Sequence, residues 1–203
     1  MAIGQSKQRL DAEAKVTGRA RYTDDMGLPG MRHAAYVHST IAHGMVLSID
    51  ASEALALPGV EAVFTADDVP GFLFPTAGHP YSMDPSHGDV ADRLLLTKHV
   101  RYYGDEVAVV VARDGLTARK AAHLVKVEYE PLPVMTSAET ALAPGAPVLQ
   151  PSVNPDGNLL KQHTLECNGT LDEALAVADV VVEGAYRTPT MQHCHLENQT
   201  AYA

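Results

Sequence analysis

Apolar residues fall among polar ones in strand-length runs over much of this chain, and their spacing predicts its elements one after another. An irregular opening at Gly18 to Gly30 holds the turn signals Thr23-Asp24-Asp25 and Gly27-Leu28-Pro29-Gly30. Met31 to Val37 and Met45 to Ile49 then read as strands, separated by His38 to Gly44. Ser52 precedes Glu53-Ala54-Leu55-Ala56-Leu57, a short helical run stopped by Pro58-Gly59. Val60 to Thr65, β-branched and aromatic, reads as the next strand.

Between Asp67 and Asp92 the pattern dissolves, because Pro70, Pro75, Pro80 and Pro85 each remove an amide donor at short intervals. A long surface loop is expected there, either lining a partner surface or an approach to a site, or simply solvated. The clearest supersecondary signal follows. Glu106 to Ala112 is an apolar strand, Leu116 to Val125 a helix with Ala118, Ala121, Ala122 and Val125 on one face, and Val125 to Glu130 an alternating strand. Pro131 and Pro133 end that strand-helix-strand unit, and Thr136 to Leu142 reads as a short helix. A domain boundary or linker is expected in the Pro/Gly/Asn-rich stretch Ala143 to Gly157. Beyond it, Thr170 to Ala178 has helical spacing, while Val180 to Arg187 and His193 to Ala203 alternate as strands. The apolar run Thr200-Ala201-Tyr202-Ala203, with neither turn nor cap after it, leads to the expectation that the chain is a fragment of a longer polypeptide.

Composition narrows the class. With 46% hydrophobic and 20% charged residues, 203 residues can bury a core as one large domain or two small ones, which excludes a disordered or fibrous chain. Lys and Arg total 15 against 25 Asp and Glu, a net charge of -10 that repels a phosphate backbone and speaks against nucleic acid as a partner. Two cysteines, Cys167 and Cys194, make neither a disulfide framework nor a zinc ribbon, and a reducing cytoplasm is the expected compartment. MAIGQSKQRLDAEAK at the start has no apolar segment, and the longest apolar run elsewhere is Val107 to Ala112, so neither a signal peptide nor a membrane span is expected.

The sharpest chemical cluster is Gln192-His193-Cys194-His195-Leu196-Glu197. On a strand, His193, His195 and Glu197 share one face, and two imidazoles with a carboxylate suit zinc or iron(II). Strand histidines that pack or bond to backbone are the competing reading. Cys194 is either a thiolate activated by its histidine neighbours or a buried, inert thiol. Asp24-Asp25, Asp67-Asp68 and Glu128/Glu130 are pairs from which a general acid and an ionised partner can be drawn, although their positions suit turns, a helix start and a solvated strand face. No GxGxxG or P-loop pattern occurs. Catalytic, cofactor-binding and metal residues are therefore left unassigned, with His193, His195 and Glu197 kept as the metal candidates.

Four ordered motifs go further. KVTGRARYTDD (Lys15 to Asp25), VHSTIAHG (Val37 to Gly44), LPGVEAVFTADDVPG (Leu57 to Gly71) and VRYYGDEVAVVVARDGLTARKAAHLVKVEYEPLPV (Val100 to Val134) together resemble the α/β hammerhead domain. That domain opens the large subunit of the xanthine dehydrogenase, aldehyde oxidase and carbon monoxide dehydrogenase family. The opening MAIGQS, NLLKQ (Asn158 to Gln162) and ADVVVEGAYRTPTMQHCHLENQTAYA (Ala178 to Ala203) resemble its bacterial xanthine dehydrogenase branch in particular. One departure is His38-Ser39-Thr40, where relatives commonly have Arg-Ser-Pro.

The resemblance implies an α+β fold, with a hammerhead over residues 1–142, a linker or loop over 143–157, and the truncated start of a molybdopterin-binding domain over 158–203. It implies that the complete protein hydroxylates a purine, a related heterocycle or an aldehyde with water-derived oxygen at a molybdenum-pterin centre. Electrons pass to FAD and iron-sulfur clusters on companion subunits or domains. The family's cofactor and catalytic motifs have no counterpart in these residues, so the implied role of the fragment is scaffold and assembly surface, inactive alone and without a cofactor of its own. Its expected partners are the FAD-binding and iron-sulfur subunits, the remainder of the molybdenum subunit and, through an exposed C-terminal strand, its own copies. The alternative is a free-standing hammerhead-fold module for interaction or small-molecule binding, and a downstream reading frame with glycine-rich cofactor motifs distinguishes the two.

Overall fold

The computed structural model describes residues 3–75, 89–162 and 169–203. In chain order these form α1 (Ala12–Val16), β1 (His33–His38), β2 (Gly44–Asp50), α2 (Ser52–Ala56), β3 (Val60–Thr65), β4 (His99–Val100), β5 (Glu106–Ala112), α3 (Gly115–Ala122), β6 (Lys126–Pro131), α4 (Ala138–Ala141) and α5 (Leu171–Ala176). Two three-stranded antiparallel sheets result, ordered β1-β5-β3 and β4-β2-β6. This is the mixed α+β architecture expected.

β5 has the composition of a central strand. After Glu106 it is wholly apolar, and a run without a polar face requires cover on both sides. β1 and β3 take its two edges, with Val37 opposite Ala108, Ala35 opposite Val110, and Val63 opposite Val110. α3 packs on β1 and β5 through Thr117, Ala118 and Ala121, whose small side chains allow a close approach. Its start is fixed by Asp114, whose carboxylate accepts the Thr117 N–H at 2.8 Å. Val37, Ala54, Val100, Val107, Ala108, Val110, Ala121 and Val125 make one buried cluster, to which the second sheet contributes Val100 and the partly buried Val46, Ile49, Val127 and Tyr129.

β5, α3 and β6 form where the sequence places a strand-helix-strand unit, but the two strands join different sheets. Both edges of β5 are already paired, so β6 finds its partner in β2. β4 is two residues long and has no periodic signal; it exists because Gly44 and Met45 offer it an edge.

The strands expected at Val180 to Arg187 and His193 to Ala203 are not formed, and residues 178–203 carry no helix or strand. A strand needs backbone partners from elsewhere in the chain, and among the described residues nothing pairs with this stretch. α5, by contrast, assembles from neighbours alone. The Thr170 hydroxyl accepts the Glu173 N–H and the Glu173 carboxylate accepts the Thr170 N–H, each at 3.3 Å.

The described residues between 30 and 166 form one compact unit, which holds both sheets; those before Gly30 and after 166 form a second. The stretch 143–157 is tied into the first unit. Arg101 Nε donates to Leu149 O at 2.8 Å, Leu149 N–H to Asn158 Oδ1 at 2.7 Å, and Asn158 Nδ2 to the Ala141 and Pro147 carbonyls at 2.9 and 2.8 Å. Of the Asp67–Asp92 loop, residues 76–88 lie outside the described residues, and the flanks are joined by a bridge between Phe74 and Arg93.

Gly44 sits where two segments of the chain nearly touch: a Cβ there would lie 2.5 Å from the Glu130 carbonyl oxygen and 2.5 Å from Ile41 Cδ1. That oxygen belongs to a paired strand and cannot retreat. Gly44→Ala is expected to lower stability by about 1–3 kcal/mol in urea denaturation, whereas Gly71→Ala, which meets nothing within 4 Å, leaves the midpoint unchanged. Equal midpoints for the two variants would show that the approach is not tight.

Candidate functional site

The metal candidates do not share a face. His193, His195 and Glu197 are exposed, and Cys194 between them has φ +50°, which breaks the alternation that would align them. The Glu197 carboxylate instead accepts from the Thr23 N–H and hydroxyl, each at 3.4 Å, and Asn198 Nδ2 donates to Asp24 at 3.3 Å. Among the described residues no three His, Cys, Asp or Glu side chains are grouped to hold a metal ion. Cys194 is exposed, contrary to the buried thiol expected as one reading; Cys167 lies outside the described residues.

The carboxylate pairs serve the structure around them. Asp25 accepts the Tyr22 N–H at 3.0 Å within a short 3-10 turn. Asp68 accepts both the N–H and the hydroxyl of Thr65 at 2.8 and 2.9 Å, which hold its carboxyl below the usual range, and Asp67 pairs with Lys98. Glu128 accepts the Ser48 hydroxyl across the sheet at 2.9 Å.

The densest polar cluster is one that sequence reasoning passed over, at Arg101-Tyr102-Tyr103-Gly104-Asp105-Glu106. Gly104 takes φ +92°, a backbone state that favours glycine, and the turn it makes brings Tyr102 back over β5. Arg93 donates to the Tyr102 hydroxyl at 2.6 Å and to Glu106 at 2.7 Å, with its guanidinium 5.0 Å from the Tyr102 ring centroid. Tyr102 donates to Glu106 at 3.0 Å. Burial, then that carboxylate, push its phenol up to about 12 against the opposing pull of Arg93. Asp105, 6% exposed, accepts from the N–H groups of Arg101 and Glu106 at 3.0 and 3.1 Å; burial raises its carboxyl above the usual range.

The same turn grips His38-Ser39-Thr40. Ser39, 2% exposed, donates its N–H to Asp105 O at 2.8 Å, and its carbonyl accepts from Gly104 N–H at 3.1 Å. His38 Nδ1 lies 2.8 Å from Gly104 O, and since a carbonyl only accepts, that nitrogen carries the proton. The single clue in the sequence is a glycine between aromatic and acidic residues; which segment would meet the turn was not readable.

A second cluster pins one end of the β4-β2-β6 sheet. The His43 and His99 rings stack at 5.2 Å with their Nε2 atoms 3.0 Å apart, and His43 Nδ1 lies 2.5 Å from Pro133 O. The carbonyl fixes a proton on His43 Nδ1, so with both rings neutral His43 accepts at Nε2 and His99 donates. Burial, then Arg101 and His43 nearby, lower His99 to about 4.

Two cavities adjoin these groups. A pocket of about 140 Å³ is lined by Asp92, Arg93, Thr97, Arg101, Asp105 and Gln150; the Gln150 Oε1 atom is buried without a protein partner, and a space of this polarity suits ordered water. A larger cleft of about 560 Å³ runs between β1, the last turn of α3, and β6. None of these groups is arranged as a nucleophile with its base and an oxyanion-stabilising pair. What the geometry achieves is rigid positioning of turns and strand ends.

Comparison with known proteins gives the surroundings of such a unit. The family described as aldehyde oxidase and xanthine dehydrogenase, a/b hammerhead domain, matches residues 17–133, which include every strand of both sheets. The chain is 53% identical over 195 residues to the xanthine dehydrogenase molybdenum-binding subunit of Escherichia coli O157:H7, covering 96% of this chain and 25% of that subunit. Among solved structures, the aldehyde oxidoreductase from Desulfovibrio gigas matches with a TM-score of 0.61 at 38% identity, covering 71% of this chain and 16% of that one. Carbon monoxide dehydrogenase from Oligotropha carboxidovorans matches with a TM-score of 0.61 at 36% identity, covering 74% and 18%.

The histidine pair generates a test by pH. His99 is lowered in the folded state relative to an unfolded histidine near 6.5, so the unfolded chain takes up its proton first as pH falls. The contribution is intact above about 6.5 and is lost as pH drops from there towards 4. His99→Gln is expected to flatten that part of the stability-pH curve in urea titrations at successive pH values. A variant curve parallel to that of the unaltered chain would remove His99 as the cause.

Proposed function

The chain belongs to the aldehyde oxidase and xanthine dehydrogenase family through its a/b hammerhead domain, and from that premise we propose that it supplies the hammerhead portion of the molybdenum-binding subunit of a xanthine dehydrogenase-like hydroxylase. The observation that carries this reading is the 53% identity over 96% of the chain to a xanthine dehydrogenase molybdenum-binding subunit. The chain spans about a quarter of the length of that relative. The complete protein then hydroxylates a purine or related heterocycle or aldehyde with oxygen from water, and companion FAD-binding and iron-sulfur subunits carry the electrons away.

The residues in hand do not fit an iron-sulfur cluster. An iron-sulfur cluster takes about four thiolates, and this chain has two cysteines, of which Cys194 stands exposed with no grouped ligands among the described residues. No catalytic step is therefore drawn through them. The role proposed for these residues is scaffold. The knot of Ser39, Gly104 and Asp105 and the Arg93-Tyr102-Glu106 triad hold β1, β5 and their turns rigid, so that surfaces meeting the rest of the subunit keep their shape.

Residues 158–203 are proposed as the start of the neighbouring cofactor-binding domain, after a hammerhead within 1–142 and a connection at 143–157. The exposed Val180, Val182 and Tyr186 support this, since side chains of that type are normally covered. The same exposure supports self-association of the chain when alone. No helix among the described residues is long and apolar enough to cross a membrane; the proposed compartment is the cytoplasm, which the low cysteine content supports.

The test has two arms. The chain purified alone is expected to carry no molybdenum, iron or flavin in stoichiometric amount, by metal analysis and absorption spectroscopy. Joined to the remaining region of such a subunit and produced with FAD-binding and iron-sulfur chains, it is expected to yield product labelled with oxygen from isotopic water. About one equivalent of metal on the chain alone, lost in His193→Ala/His195→Ala, would overturn the scaffold role.

A further inference from the structure

β1 and β6 are edge strands of their respective sheets. Among the described residues, the main-chain hydrogen bonds of β1 go to β5 and those of β6 to β2, which leaves the outer N–H and C=O groups of both strands unpaired. Both strands line the 560 Å³ cleft, through Ala35 to His38 on β1 and Val127 and Tyr129 on β6. Arg119, His123 and His38 also reach its wall, and no carboxylate does. On a chain of net charge -10 that is an exception, and the Arg119 guanidinium has no ion pair among the described residues. An open backbone edge beside an uncompensated cation fits an extended segment with β-branched side chains and a carboxylate.

The chain carries such a segment. Asp179-Val180-Val181-Val182-Glu183 has high strand propensity, lies outside any helix or strand, and is exposed throughout, with Val180 and Val182 at 78% and 86%. At roughly 3.3 Å per residue, its five residues span about 16 Å, within the length of six-residue β1. We propose that the cleft between β1 and β6 accepts residues 179–183 of a second copy of the chain as an added strand, with Glu183 set against Arg119. The inference rests on the self-association read above and names its acceptor. Main-chain bonds give the affinity, and the charge pair gives the register.

Sedimentation velocity of the full chain over the micromolar range tests it, with circular dichroism confirming that each variant is folded. The unaltered chain is expected to associate with rising concentration. Arg119→Glu and Glu183→Arg each place like charges together and are expected to weaken association about tenfold or more, while the double variant Arg119→Glu/Glu183→Arg recovers it. Association that ignores Arg119→Glu but is lost in Glu183→Arg would mean that the segment pairs with its own kind, which overturns the cleft as acceptor and leaves self-association standing. A double variant that stays as weak as the singles also overturns the pairing. A chain that remains monomeric throughout removes both the cleft and the self-association, without touching the scaffold role tested by reconstitution.

Discussion

β5 must be covered on both faces and paired on both edges, and most of the sheet-bearing unit follows from that requirement. Its apolar side chains cost least when buried, and at about 25 cal/mol per Å² of apolar area the valines of this single strand weigh heavily in a unit of this size. β1 and β3 satisfy its backbone, while the alanine face of α3 closes over part of the first sheet. Because no edge of β5 remains free, β6 must find another partner, and the second sheet exists with β2 at its centre. The buried polar groups sit at the ends of these strands, where backbone leaves the ladders: Ser39 and Asp105 tie the turn after β1 to the turn before β5, and His43 with His99 closes one end of the second sheet. A buried polar group without partners would be costly, so these contacts fix turn geometry more firmly than apolar packing alone can.

The need for backbone partners also decides which expected elements are missing. α5 needs only Thr170 and Glu173 to begin, both local, and it forms. The alternating stretches after Ala178 have the composition of strands but can become strands only by borrowing another segment's donors and acceptors. The chain spans about a quarter of the xanthine dehydrogenase molybdenum-binding subunit it matches, and in the scaffold role proposed above the turns tied by these contacts are what it contributes.

Much of the fold was readable from residue patterns. β3 could be placed to the residue from its β-branched run, and β1, β2, α2 and α3 nearly so, because each carries its own period or stop signal. Pairing was less readable, since periodicity says that β5 and β6 are strands but nothing about which sheet each enters. β4 left no trace, being two residues that acquire strand geometry from β2. The motifs from Lys15 to Val134 carried the family where composition stopped. The spacing of His193, His195 and Glu197 presupposed a strand that the described residues do not form, while the Arg93-Tyr102-Glu106 and His43-His99 contacts join residues 13 and 56 positions apart and have no local signature.

Native-state hydrogen exchange read residue by residue on dilute chain tests the central claim, that β5 is the strand on which the sheet-bearing unit is organised. Amides of Val107 to Ala112 are predicted to exchange slowest, by global unfolding, with the β5-facing amides of β1 and β3 next and the two-residue β4 much faster. A β5 that exchanges as fast as β4, or while β2 and β6 remain protected, would contradict it.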